Sequence, residues 1–356
     1  MYGLATIPII RKLDGLCKQV WYADDSAAIG KIGQLHDWWN KLAAIGPAFG
    51  YFPNPSKTWL VTKQNHHDRA TNIFAGSGVN VTPEGRPYLG AAIGSREYIA
   101  EYVNTKVQLW SSSINTLSNI AKSQPHAAYS AITHGLLSKW TYLSRVVPNL
   151  SHLLVPLDNT LRTKLIPAIT GRPPPNSVEC DLYALLARLS GLAITIPSKL
   201  ADKELHHSLT VTSSLTDHIL AQDNEYGYNI VRDQQLKKRE VSKDNRNRQE
   251  DTASIHQQLP DGLQKAVELS KTKGASTWLT VLPLSEHGFT LHKSAFQDAL
   301  ALRYGWTPTR LPSKCNCGKN FNVEHALSCA KGGFPRNVKA QRNKRYHSIP
   351  SHGSMQ

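Results

Sequence analysis

Two groups of residues in this 356-residue chain have the types and spacing to do chemistry. The first is Asp24-Asp25, a pair of adjacent carboxylates inside the run Gln-Val-Trp-Tyr-Ala-Asp-Asp-Ser-Ala-Ala-Ile of residues 19–29. Neighbouring carboxylates repel and are costly to ionise together unless a cation neutralises them, and a divalent metal is the cation that fits. Two-metal phosphoryl transfer draws its carboxylates from at least two chain segments, because one of them bridges ions about 3.5–4 Å apart. Taken alone, two aspartates also suit a plain solvated turn. The second group is Cys315 and Cys317, followed by His325 and Cys329, in the spacing C-x-C-x7-H-x3-C. Tetrahedral zinc takes four ligands of this kind, and His325 and Cys329 lie four apart, on one face of a helix. Gly318 supplies a turn directly after the first pair. The competing reading, free thiols beside an unrelated histidine, is disfavoured because three of the five cysteines crowd into this segment.

Each group needs elements to hold it. Residues 19–30 read as strand, acidic turn and strand, a hairpin with the acids at its tip. Residues 31–45 carry Ile32, Leu35, Trp38, Trp39, Leu42 and Ile45 at helical spacing, and Gly46-Pro47 stops that helix. Upstream, Asp14 sits in the turn Leu13-Asp14-Gly15 between two strand-like runs. From about residue 96 to 200 the periodicity is helical, and Pro148, Pro156, Pro167 and Pro173-Pro-Pro175 divide the helices. A polar, densely charged region follows, in which residues 237–251 have no apolar stripe and read as a solvated helix or linker. Apolar residues return at Trp278, with a helix expected over residues 292–304 ahead of the cysteine group. The fold class is α+β, with no internal repeat.

The charge balance selects partners. Lys plus Arg number 41 against 26 Asp plus Glu, a formal charge of +15, which favours nucleic acid, with an anionic membrane surface as the competing polyanion. Only 19% of residues are charged, so the excess comes from scarce acids. Cysteine usage fits a reducing compartment, hence an intracellular protein of nucleus or cytoplasm. The apolar first ten residues lack a basic leader and a cleavage site, and residues 182–196, with Arg188 among them, are too short to span a bilayer. No membrane partner is expected.

Tyr22-Ala23-Asp24-Asp25, with its apolar flanks, resembles the metal-binding hairpin of reverse transcriptases, motif C of the palm. Gly50-Tyr-Phe-Pro-Asn54-Pro-Ser-Lys57-Thr58 resembles motif D, and Tyr88-Leu89-Gly90 resembles motif E, the primer grip. The three follow in the family's order within the first quarter of the chain, and the resemblance is to the enzyme of a non-LTR-type retrotransposon. It implies a partial palm of hairpins plus helix over residues 1–95, then a helical thumb and connector over 96–200. A charged linker or exposed helices over 201–275 would follow, then a helix with a CCHC zinc-knuckle-like module over 276–335 and a basic, disordered tail over 336–356. Residue by residue, it implies that Asp24 and Asp25 hold Mg²⁺ and that Tyr22 packs beneath the primer end. Lys57 would stabilise the leaving pyrophosphate or protonate it. Leu89 and Gly90 would grip the primer. Lys106, Lys122, Lys139 and Arg145, set among Trp110, Tyr129, Trp140 and Tyr142, would line a nucleic-acid groove. On the residues alone, a surface lysine in a loop is the competing reading of Lys57, disfavoured by the asparagine and glycine before it; Leu89-Gly90 reads equally as a tight hairpin, and core is the favoured reading for any one of the aromatics. His126, His134, His66-His67 and His206-His207 read as packing or surface residues.

The family also places a metal-binding aspartate on an earlier strand, motif A, and a glycine-rich helix, motif B, before this hairpin. Asp14 is too close to Asp24 to be motif A. A C-terminal nuclease is not expected either: after Glu324 there is no acid, only the cations Lys331, Arg336, Lys339, Arg342, Lys344 and Arg345. The expectation is a piece of a reverse transcriptase, truncated at both ends, with RNA and DNA as partners, Mg²⁺ and structural Zn²⁺ as cofactors, and an incomplete catalytic site. A separate chain would have to supply the missing palm, and the hairpin sheet would keep an open edge. The alternative is a zinc-stabilised nucleic-acid-binding protein without catalysis.

Overall fold

The computed structural model describes residues 2–222, 230–309 and 311–331, so the expected tail over 336–356, with Arg336, Lys339, Arg342, Lys344 and Arg345, lies outside the described residues. The chain opens with α1 (Tyr2–Leu13), a helix where a strand-like run was expected. The reason is spacing: Thr6, Ile9 and Leu13 lie three and four apart and are all buried. Next come β1 (Lys18–Tyr22) and β2 (Asp25–Ile29), antiparallel, in register from Tyr22↔Asp25 to Lys18↔Ile29 around a two-residue turn at Ala23-Asp24. Helix α2 (Ile32–Ile45) buries Trp38, Trp39 and Leu42 against Ile9, Leu13 and Phe74, a first core. The buried Gln19 side chain ties these elements together. Its Nε2 donates to the Ile10 carbonyl at 3.1 Å, and its Oε1 accepts the indole N–H groups of Trp21 and Trp38, each at 3.1 Å.

β3 (Trp59–Val61) and β4 (Asn80–Thr82) pair in parallel through the crossover helix α3 (His67–Ile73). β5 (Gly85–Tyr88) and β6 (Ala91–Gly94) form a second hairpin. Its turn residues Leu89 and Gly90 both have positive φ, 46° and 79°, the backbone of a tight two-residue turn. The three sheets are separate, each of two strands, and do not merge into one larger sheet among the described residues. With the helices that follow, the protein is a mixture of helices and small sheets, as the α+β reading expected.

Ser95 caps α4 (Arg96–Ala121), its Oγ accepting the Tyr98 N–H at 3.1 Å. The chain continues through α5 (Pro125–Ala131) and α6 (Leu137–Val146), joined by a π-helical turn at Ile132–Leu136. A second π-helical turn, Leu161–Leu165, joins α7 (Ser151–Thr160) to α8 (Ile166–Thr170). Then follow α9 (Ser177–Ala184), α10 (Pro197–Ala221), α11 (Ile230–Gln257), α12 (Asp261–Ser270) and α13 (Lys293–Arg303). One core runs from Val103 to Tyr304 and includes Leu259, Val267, Leu279, Phe296 and Leu300. Residue 200 therefore falls inside α10, which packs on α6 and α7 and is tied to them by Arg145–Glu204 at 2.8 Å and by Ser151 to Asp202 at 2.9 Å. The composition changes near residues 200 and 275 mark changes of surface, and the core continues through them. Trp110, Tyr129 and Trp140 belong to that core, the reading favoured for any one of these aromatics; of the four named, Tyr142 alone stays substantially exposed, at 43%.

Residues 185–194 form a loop that buries Ala187, Ser190, Gly191, Leu192 and Ile194, and buried backbone must find partners. Side chains from distant helices supply them. Tyr129 donates to the Leu192 carbonyl at 3.0 Å and Tyr304 to the Ser190 carbonyl at 2.9 Å. Arg303 donates through Nη2 to the carbonyls of Ala187 at 2.8 Å and Gly191 at 3.1 Å, and through Nη1 to the Ser276 hydroxyl. Gly191 is required by close approach, since a Cβ there would stand 1.8 Å from the Leu185 carbonyl oxygen. This stretch overlaps the most apolar segment of the sequence, and no helix among the described residues is long and apolar enough to cross a membrane.

His126 is a packing residue, as expected. It is buried, its ring stacks on Phe296 with centroids 5.1 Å apart, and its Nδ1 accepts the Leu291 N–H at 3.2 Å. Burial holds the imidazole below its usual pKa of 6.5. The folded state binds the proton less readily than the unfolded chain, so the neutral ring contributes stability that is complete above about pH 6.5 and is lost as the pH falls below it. Urea unfolding is expected to show lower stability at pH 5 than at pH 7, with His126→Gln flattening that difference. Identical pH profiles for the two proteins would remove His126 from the account.

Candidate functional site

The cysteine group folds from local rules. Cys315 N–H donates to the Lys319 carbonyl at 2.9 Å and Gly318 N–H to the Cys315 carbonyl at 2.8 Å, closing a tight turn that Gly318 makes possible at φ 86°. A bridge between Lys314 and Asn320 flanks it. Asn322 then caps the short helix α14 (Val323–Ser328), its Oδ1 accepting the His325 N–H at 2.7 Å. The turn presents Cys315 and Cys317, and the helix presents His325 with Cys329 at its end. The ligand atoms of all four lie within 4.8 Å of one another, close enough to bind a metal ion. Cys315 Sγ and Cys329 Sγ are 3.7 Å apart, and Cys317 Sγ is 3.1 Å from His325 Nε2. A tetrahedron with Zn–S bonds of about 2.3 Å has sulfur–sulfur edges of about 3.8 Å. Among the described residues this is the only such group of three or more possible ligands.

The acidic hairpin is anchored from a segment that the sequence did not single out for the task. The Tyr51 hydroxyl donates to the Asp24 carbonyl at 3.1 Å and lies 3.4 Å from Ser26 Oγ, while its ring sits 5.3 Å from that of Trp21. Asp24 and Asp25 themselves are exposed at the turn. Burial raises the Tyr88 pKa, and the Asp25 charge adds to the rise. Tyr51, in the segment 50–58, thus joins that segment to the acidic turn. Lys57 is exposed, and its side chain has no ion pair with either aspartate among the described residues. No third carboxylate, histidine or cysteine stands within ligand distance of Asp24 and Asp25 among those residues.

No protein-family model, curated protein or solved structure matches the chain.

The Leu89-Gly90 turn is held by the helices beside it. Tyr102 on α4 donates to the Gly90 carbonyl at 3.0 Å, and Tyr142 on α6 donates to the Leu89 carbonyl. The Lys106 ammonium lies 5.1 Å from the Tyr102 ring centroid, which sets one cation beside the turn. Tyr22, at 72% exposure, projects into solvent from the end of β1. Lys139 is exposed, whereas Lys122 donates to Asn119 at 3.0 Å and Arg145 is engaged by Glu204. Tyr51, Tyr102 and Tyr142 went unassigned or only broadly assigned in the sequence, although Tyr51 and Tyr142 fall within segments it flagged.

Proposed function

We propose that this chain is part of a non-LTR-type reverse transcriptase that binds RNA and DNA and does not polymerise alone. The observation that carries the reading is the contact between the two segments that resemble motifs C and D, the Tyr51 hydroxyl bonded to the Asp24 carbonyl, with the segment that resembles motif E following as a second hairpin. Asp24 and Asp25 would be the Mg²⁺ ligands, Lys57 the cation for the departing pyrophosphate, Leu89 and Gly90 the primer contact, and Lys106, Lys139 and Arg145 the phosphate contacts. The lack of a third ligand beside the aspartates, among the described residues, supports the view that this chain does not complete a two-metal site. The Cys3His set would hold structural Zn²⁺, because thiolate and imidazole ligands suit that ion.

A second reading has its own support. The cysteine cluster together with the charge of +15 suits a zinc-stabilised nucleic-acid-binding protein in which the acidic hairpin is structure only. One pair of measurements separates the two. Fluorescence anisotropy with single-stranded RNA and with an RNA–DNA duplex is expected to show binding that weakens roughly 100-fold between about 50 and 200 mM salt, the slope of about four phosphate contacts. Primer extension with Mg²⁺ is expected to yield no product from the chain alone and product when a chain carrying the earlier palm strands is added. Extension by the chain alone that Asp24→Asn abolishes would overturn the incomplete site. Persistent failure with the added chain favours the second reading, and salt-insensitive or absent binding counts against both.

A further inference from the structure

Between α7, α9 and the start of α10 the surface opens into a cavity of about 170 Å³. Its walls are mostly apolar, with Leu161, Ile166, Ile194 and Ile196 among them, and Cys180 is the one thiol that lines it. A cavity of about 150 Å³ holds a benzene ring, so this one has room for a ring of that size with a substituent at the open side. The charged side chains that line it are Asp158, Arg162 and Lys199, and two of them are already answered. Lys199 Nζ donates to Asp181 Oδ1 at 2.6 Å, and Asp158 Oδ1 accepts the Ser198 N–H at 3.3 Å in the first turn of α10. Arg162 is exposed and has neither an ion pair nor a hydrogen bond among the described residues. Sequence alone leads to the opposite expectation, because Asp158 precedes Arg162 by four residues, the spacing at which opposite charges pair on an α-helix. The π-helical turn Leu161–Leu165 takes Arg162 off that register, and such turns recur at functional sites. Cys180 does not answer the cation either. Burial raises its pKa from the usual 9.0, the Arg162 charge offsetting only part of the rise, so the thiol is neutral at neutral pH.

We propose that this cavity binds a small apolar monocarboxylate, its hydrocarbon part among Leu161, Ile166, Ile194 and Ile196 and its carboxylate on the Arg162 guanidinium. Shape and charge select that ligand. The planar guanidinium takes a carboxylate through two parallel hydrogen bonds. One free cation matches one negative charge, whereas a phosphate dianion would bring a second charge beside Asp158 with nothing to balance it. An amine would meet Arg162 as a like charge, and a plain hydrocarbon would leave the guanidinium unused. The cavity shares no residue with the segments that resemble motifs C, D and E, so it stands independently of the reverse-transcriptase reading.

Benzoate is the probe, and Cys180 reports its arrival. The full chain is alkylated with iodoacetamide, with and without millimolar benzoate, and the rates at Cys180 and at the half-buried Cys17 are read by mass spectrometry. Benzoate is expected to slow alkylation of Cys180 saturably and to leave Cys17 unchanged. Benzyl alcohol, of similar shape without the charge, and benzylamine, of opposite charge, are expected to protect far more weakly. Arg162→Gln, a change at an exposed position outside the core, is expected to raise the half-protecting benzoate concentration about tenfold or more, through loss of the charge-assisted bonds. Protection that survives Arg162→Gln unchanged, or that benzyl alcohol matches, overturns the proposal by removing the carboxylate from it. Stronger protection by benzylamine gives the cavity to Asp158 and overturns it as well. Absent protection, or equal slowing at Cys17, shows that benzoate does not enter the cavity and overturns it outright.

Discussion

Replacing Cys329 by serine, or stripping metal with a strong chelator, is expected to abolish binding of one zinc per chain and to unfold residues 313–329 while the helical core survives. The argument starts from how little else holds this segment. Helix α14 has six residues, far below the length at which a helix is stable by itself. Cys315 and Cys329 are its buried side chains, and the backbone bonds of the Cys315–Gly318 turn are local ones. A structural zinc site in a small module supplies about 10–16 kcal/mol of apparent binding free energy at neutral pH, and there that binding energy is folding energy. Serine removes one thiolate and leaves three ligands where a closed tetrahedral site needs four. The core from Val103 to Tyr304 contains none of the four ligands, so its melting temperature is expected to stay nearly constant. Metal analysis after dialysis against chelator, with hydrogen exchange across residues 313–329, checks both halves. Full zinc retention by Cys329→Ser, or loss of the main thermal transition with the metal, would sink this account of the cluster.

Arg303→Met is expected to destabilise the protein by roughly 2–4 kcal/mol, and Arg303→Lys by at least as much. Arg303 is 6% exposed, and its guanidinium bridges two carbonyls of the 185–194 loop and the Ser276 hydroxyl. Methionine relieves the cost of burying a cation but leaves these acceptors without their donor in an interior from which water is excluded. Lysine keeps the buried charge and loses the planar fork, so its single nitrogen cannot reach the two carbonyls and the Ser276 hydroxyl as the two guanidinium nitrogens do. No carboxylate lies within ion-pair distance of Arg303 among the described residues, so its role rests on the fork geometry and on the Tyr304 ring, whose centroid is 5.7 Å from its Cζ. Urea denaturation of the three proteins tests the ranking. A lysine variant clearly more stable than the methionine variant would show that charge, not the paired donors, matters at this site.

These examples mark where the sequence was legible. The hairpin with Asp24 at its turn, the helix over residues 32–45, the second hairpin at Leu89-Gly90 and the C-x-C-x7-H-x3-C ligand set could all be read directly. Each depends on residues within a few positions of one another, through turn geometry, helical spacing or ligand spacing. The helix α1 escaped because a short apolar run carries the same residues whether helical or extended, and only Thr6, Ile9 and Leu13 facing Trp38, Trp39 and Leu42 resolve it. Arg303 looks in the sequence like any cation in the last turn of a helix, where the helix dipole alone would explain it.

By itself, the sequence determined which groups could do chemistry: a paired carboxylate on a turn, a soft four-ligand set, and an excess of cations over acids. Tertiary structure decided how those groups are supported and which of their neighbours are free. It placed Trp110, Tyr129 and Trp140 in the core, carried that core past residues 200 and 275, gave the acidic turn its Tyr51 anchor, and set Gln222 on the edge of β1. The physical reason is range. Turns, caps and ligand spacings are settled by contacts across a few residues, whereas burial and edge pairing are settled by partners as far apart as the 203 positions between Gln19 and Gln222, which no local pattern encodes.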